Sequence, residues 1–249
     1  MWLKTPESIK NILWEGQMEP VSNEAIERLI RKNKTRGIIL KSDDLRSGLP
    51  IVSIGSPETW ALTDLYPAEK MPPLLKAKLN EADFYLVRFS CSFRPQHCEK
   101  QIDWARFIVQ LYSGEAGQPI AFDLYPVMVT QELKHSIKVT LGPTLNFQPV
   151  NAGLGGLEFG YEYQELHPII TAAGIGEENP SWDFREAKGS TVQGSKFMLM
   201  LLKVPKVMKP VEAFIDLVAS VKIRDQVLPI NISKRDISAN PLKVRLISA

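Results

Sequence analysis

The sequence predicts a mainly β protein, an antiparallel β-sandwich-like body preceded by a small α/β N-terminal element. Three observations carry this. From Asp83 onward apolar residues recur at every second position, whereas earlier they recur at about 3.6. Segments with this alternation return at short intervals, separated by Gly, Pro, Asn and Asp. Beyond residue 82 no long run carries helical periodicity. Strands so spaced and punctuated pack as two sheets face to face, with a closed barrel as the alternative. The period switch sets the expected boundary, giving a helix-containing element over 1–82 and a β domain with a basic end over 83–249.

The N-terminal element carries the clearest helix. Asn23 to Lys32 places Ala25, Ile26, Leu29 and Ile30 on one face, with Ser22 as N-cap, acids in the first turn and bases in the last. Gly37 stops it. Ile38–Leu40 and Pro50–Ile54 are expected as short strands, and a further helix is expected over Pro73–Glu81.

In the body, Tyr85, Val87, Phe89, Cys91 and Phe93 form the apolar face of one strand, with Arg88, Ser90, Ser92 and Arg94 opposite. Ala105, Phe107, Val109 and Leu111 mark the next, and Pro119–Thr130 another. Ile137, Val139 and Leu141 mark a third alternation, and Leu157, Phe159, Tyr161 and Tyr163 a fourth. Lys196–Val204 and Val211–Arg224 are expected to form a hairpin across Pro205–Pro210, with both arms inside the core. The first arm is apolar on both faces at Phe197–Leu202. The second alternates strictly from Val211 to Ile223.

Charge is polarised along the chain. Residues 83–186 hold seven cations against thirteen acids, while residues 187–249 hold eleven against four. Interleaved strands with complementary outer faces explain this without a partner. A basic region meeting an anionic partner explains it as well. Arg28, Arg31, Lys32, Lys34 and Arg36 put five cations in nine residues with no acid between them. They form a candidate anion or nucleic-acid contact, although no RNA-binding aromatic motif accompanies them.

Chemistry would have to start from few residues. The cysteines are Cys91 and Cys98 and the histidines His97, His135 and His167. Cys91, His97 and Cys98 supply three metal donors without a paired C-x-x-C, too few for a zinc site. A thiolate at Cys98 would need a base and a group to orient it, brought from other strands. Gly153–Gly160 and Gly194–Lys196 contain glycines that superficially match phosphate and nucleophile loops, but both run into strands rather than helices. No catalytic residue, metal or cofactor is assigned. Two cysteines, no basic-then-apolar leader and no long apolar run point to a reduced, cytoplasmic compartment.

The leading expectation is a non-enzymatic module that binds another protein as a subunit or adaptor, with nucleic acid disfavoured. The second is a membrane-acting, pore-forming-like β protein, in which the hairpin carries Lys203, Lys206 and Lys209 at a cationic tip and has the length of a membrane strand, about 9 to 11 residues. The third is a hydrolase with a dispersed Cys/His/Asp site. The partner, the pathway and the oligomeric state are not encoded in any recognisable pattern.

Overall fold

The computed structural model describes residues 2–4, 11–66, 69, 71, 73–113, 117–131, 137–140, 146–148, 169–186, 191–206, 210–223, 226–231 and 242–248. The chain is mainly β, and its antiparallel sheets pack face to face as the alternation requires.

The first sheet is six-stranded. At its centre β6 (Ala82–Arg94) pairs with β14 (Gly194–Pro205) over twelve residues, and β14 pairs on its far side with β8 (Ile120–Tyr125). Along the other edge of β6 lie two strands end to end, β4 (Ile51–Gly55) against Cys91–Arg94 and β5 (Glu58–Ala61) against Tyr85–Arg88. β2 (Ile12–Gln17) then pairs with β4.

The second sheet is nine-stranded and centres on β7 (Lys100–Tyr112) and β15 (Val211–Ile223). Beyond β7 come β13 (Ser181–Arg185), β12 (Ile169–Ala173), β9 (Met128–Gln131) and the backbone of β10 (Ile137–Thr140). Beyond β15 come β16 (Gln226–Asn231), β17 (Leu242–Ile247) and the short β3 (Glu19–Pro20). A separate pair joins the backbones of β1 (Trp2–Lys4) and β11 (Asn146–Gln148). Strands from residues 1–82 therefore enter both sheets of the body.

Between the sheets, odd-numbered residues of β6 meet those of β7 and β15. Val87, Phe89, Phe107, Val109 and Leu217 are fully buried in one core. Phe89 reaches across to Phe107 and Trp182, with ring centroids 5.8 and 6.1 Å away. Such tilted ring pairs add to the area they bury. Val139, expected in the same core, falls where only the backbone is described.

Several expectations are corrected. β14 and β15 do not pair with each other, so Lys196–Arg224 is not a hairpin. β14 sits between β6 and β8 in one sheet, and β15 between β7 and β16 in the other. The link from Pro205 to Val211 crosses from sheet to sheet, because two strands that each need neighbours on both edges find them in different sheets. Both arms are nonetheless core strands. Ile38–Leu40 is not a strand: Ile38 donates to the Asn33 carbonyl, and the chain passes directly into α2 (Ser42–Arg46) with Ile39 exposed. Pro119–Thr130 divides into β8 and β9, one in each sheet. The alternation at Leu157–Tyr163 lies outside the described residues.

The outer face of the six-stranded sheet explains why β14 is apolar on both sides. α3 (Leu62–Leu65) and α4 (Pro73–Lys78) cover it, and Leu62, Tyr66, Met71 and Leu75 pack with Phe84, Leu86, Leu199 and Leu201 into a second apolar cluster. Arg88, expected to face solvent, is buried at the margin of this cluster. It donates to Glu58 at 2.6 Å and lies 4.9 Å over the Trp60 ring.

Leu201 is fully buried in that cluster. Leu201→Asp is expected to be unfolded or insoluble, since an unpaired buried carboxylate costs several kcal/mol against a total of about 5 to 15. Leu201→Ala should fold with a loss of about 2 to 5 kcal/mol, and urea denaturation of the two variants checks the ordering.

Gly48 supplies a sharper test. Its φ is +59°, and a Cβ there would lie 2.3 Å from His97 Cδ2. Gly48→Ala therefore meets both backbone strain of about 1 to 2 kcal/mol and a side-chain clash. In a double-mutant cycle His97→Ala should relieve the clash and leave only the backbone cost, so the two substitutions should be non-additive in thermal melting.

Candidate functional site

α1 (Asn23–Lys34) forms where the sequence places it, with the Ser22 hydroxyl accepting from the Ala25 amide at 3.2 Å. Ile26 and Leu29 are buried in the main core. Asn33 is buried as well; its side-chain amide donates to the Leu29 carbonyl at 2.9 Å, and its own carbonyl accepts from Ile38. Arg46 on α2 donates to Asn23, holding the helix start. These contacts fix the helix against the β16 edge, where the Val21 amide donates to the Pro229 carbonyl at 3.1 Å.

This fixed placement leaves one flank of α1 facing β16 across a groove of about 150 Å³, lined by Ala25, Arg28, Leu29, Lys32, Val227 and Pro229. Arg28 and Lys32 stand one helical turn apart and project to the same side. The opposite wall is aliphatic, and Val227 is about half exposed, at 52%. Val21, 53% exposed, follows β3, the strand that pairs with β16. Lys222 is the direct register partner of Val227 on β15 and is also exposed.

All five cations of the cluster, Arg28, Arg31, Lys32, Lys34 and Arg36, are exposed, and none has a carboxylate partner among the described residues. The structure sorts them: only Arg28 and Lys32 line the groove, while Arg31 and Lys34 leave the helix in other directions. Val227 and Pro229 in the groove, and Val21 beside it, are the residues that sequence reasoning missed. The alternation of Val227 and Pro229 with Leu228 and Ile230 was the available signal, the first pair outward and the second buried.

Of the other proposed cations, two fall on described residues. Lys203 is half-buried on β14, Lys206 is exposed at the turn that ends it, and Lys209 lies outside the described residues. Lys196 points into the mouth of the sandwich beside Cys91, and burial pushes its ammonium below the ordinary lysine range while the Cys91 thiol pulls the other way.

Of the groups considered for catalysis, His135 and His167 lie outside the described residues. His97 packs on Gly48, and Lys100 beside it donates to the carbonyls of Asp44 and Ser47 at the end of α2. Burial lowers Lys100, with Asp44 and Glu99 acting in the opposite direction. Among the described residues no three His, Cys, Asp or Glu side chains are grouped as metal ligands. The groove holds no nucleophile or base. It can bind and orient an anion attached to something apolar.

With the fold and groove in place, the class is an antiparallel β-sandwich with an uncompensated cationic groove at one sheet edge. No protein-family model matches the chain, and no curated protein matches it by sequence. Among solved structures it is similar to the Clostridium perfringens NetB toxin in the membrane-inserted form. Identity there is 9%, over 74% of this chain and 92% of that one, with a TM-score of 0.34. A structure described as a pore forming protein gives 10% identity over 74% and 88% with a TM-score of 0.34, and Clostridium perfringens delta-toxin gives 7% over 78% and 88% with 0.30. Likenesses at these TM-scores assign no function to the chain.

The thiols give a direct check on this geometry. Both are free; Cys98 is exposed, while burial pushes Cys91 up to about 12. At pH 8 such a thiol is thiolate in only about one molecule in ten thousand. A chromogenic disulfide reagent should therefore titrate one thiol in the native protein and two in denaturant, and Cys98→Ala should abolish the native signal.

Proposed function

We propose that the protein acts at membranes, docking on an anionic lipid surface through α1 and the adjoining edge of β16. The observation that carries this reading is the groove itself, in which Arg28 and Lys32 share a rim with exposed Val227 while Val21 and Pro229 continue the aliphatic surface. Cations alone would suit any polyanion. Cations set among exposed aliphatic side chains suit an interface where charged head groups overlie hydrocarbon.

The mode of action differs from release of the Lys196–Arg224 segment. β14 and β15 are central strands of separate sheets, and withdrawing them would dismantle the core. Docking instead uses groups already at the surface and leaves the sandwich intact. No described helix is long and apolar enough to cross a membrane, which leaves strands out of account.

Co-sedimentation with phosphatidylcholine vesicles, with and without phosphatidylglycerol, tests this. The protein should pellet with the anionic vesicles and be released as ionic strength rises and the Debye length shrinks. Reversing both groove charges in Arg28→Glu/Lys32→Glu should weaken binding by about thirtyfold or more, taking roughly 1 kcal/mol for each cation lost near the surface. Dye release from the same vesicles separates docking from permeabilisation. The competing reading, an adaptor that binds another protein, predicts no vesicle binding and no effect of the charge reversal on it.

A further inference from the structure

The groove cations differ in how they are held from four of those on the sheets. Arg88, Arg106 and Lys243 each lie within 2.7 Å of a carboxylate on a neighbouring strand, and Arg94 on β6 lies as close to Glu15 on β2, two strands away. Arg106 makes a two-pronged contact with Asp183, which raises it above the ordinary arginine range. Arg28 and Lys32 have no such partner among the described residues, and they border the same open groove. An unneutralised guanidinium and ammonium on one rim leave room for an anion that the chain does not itself provide.

The walls of that groove favour one kind of anion. At roughly 30 Å³ per water its 150 Å³ corresponds to about five waters. That is room enough for a phosphate group. Arg28 offers a planar fork that matches two phosphate oxygens, and Lys32 a mobile point charge for a third. Lys222, the register partner of Val227, is exposed on the neighbouring strand and lies outside the groove lining. Ala25, Leu29, Val227 and Pro229 provide an apolar lining against which an ester's carbon skeleton can lie.

We infer that this groove is a head-group site for a membrane lipid bearing a phosphomonoester. A monoester presents three unesterified oxygens and a charge near −1.5 to −2 at neutral pH, enough to engage the Arg28 fork with two oxygens and Lys32 with the third. A diester has two unesterified oxygens and a single charge, and leaves one of these cations unmatched. The inference rests on the membrane reading above and deepens it, by distinguishing recognition of one head group from attraction to a charged surface.

The test compares full-length protein on phosphatidylcholine vesicles containing phosphatidic acid, a monoester, or phosphatidylglycerol, a diester, with the two compositions adjusted to equal zeta potential. Binding to the monoester vesicles should be about tenfold tighter, as expected for an added charge-assisted contact. Arg28→Gln and Lys32→Gln should each abolish that preference. Arg31→Gln and Lys34→Gln, which remove the same charge outside the groove, should preserve it. Thermal melting confirms that these exposed substitutions leave the fold intact.

Equal binding to both anionic compositions, or equal loss from the groove and non-groove variants, would overturn the head-group site while leaving surface docking in place. Absence of binding to either anionic vesicle would overturn both. Soluble glycerol 3-phosphate supplies the last arm and should compete for the monoester vesicles in an Arg28-dependent manner. If it binds the wild-type protein while no vesicle does, the phosphate chemistry belongs to a free metabolite and the lipid assignment fails.

Discussion

The contact on which the rest of the structure depends is the aromatic bridge between the sheets. Phe89 belongs to β6 of one sheet, Phe107 and Trp182 to β7 and β13 of the other, and all three are fully buried. A second bridge, Phe93 to Phe184 with centroids 5.8 Å apart, continues the row along the same strands. Rings of this size set the sheet separation and oblige the residues beside them, Val87, Val109, Leu217 and Met200, to fill the space between at close-packed density. The repeated passage of the chain between sheets, β6 to β7, β8 to β9 and β14 to β15, is the topological counterpart. It builds both walls of the core together.

The cationic groove is a by-product of that same packing. α1 contributes Ile26 and Leu29 to the edge of the core, and a helix held by so narrow a stripe keeps most of its circumference in water. The bases at its C-terminal end are favourable there because they complement the helix dipole, so local stability alone would account for their presence. What local stability does not account for is their position: Arg28 and Lys32 are the two that the packing angle of the helix turns toward an aliphatic strand.

Legibility followed the range of the interaction. α1, its Ser22 cap and the strands β6, β7 and β15 were readable because periodicity and capping are local properties. The two-faced burial of β14 was visible at Phe197–Leu202, but what covers its outer face was not, since α3 and α4 come from more than a hundred residues earlier. The same limit produced the false hairpin: sequence adjacency and matching alternation suggest pairing, whereas partners are chosen by edges the sequence does not display. Ile38–Leu40 misled for a different reason, because β-branched residues after a helix resemble a strand even when a buried Asn33 ties the first of them back to the helix. Within the groove, the cations were legible as a cluster. Their selection by Val227 and Pro229, two hundred residues away, was not.

The six-stranded sheet has apolar clusters on both of its faces, and they differ in depth. The inner one is shared with the central strands of the nine-stranded sheet, while the outer one is closed by helices of four and six residues, too short to persist without the surface they cover. Lys78 above the Phe122 ring, buried Tyr66 and half-buried Tyr125, both tyrosines raised by desolvation, mark where that cover is fastened. The protein therefore has two levels of opening. Loss of the helices uncovers one apolar sheet face with every ladder bond between β6 and β14 still made, so amide protons in α3 and α4 exchange through a local event of lower free energy than those in the strands beneath.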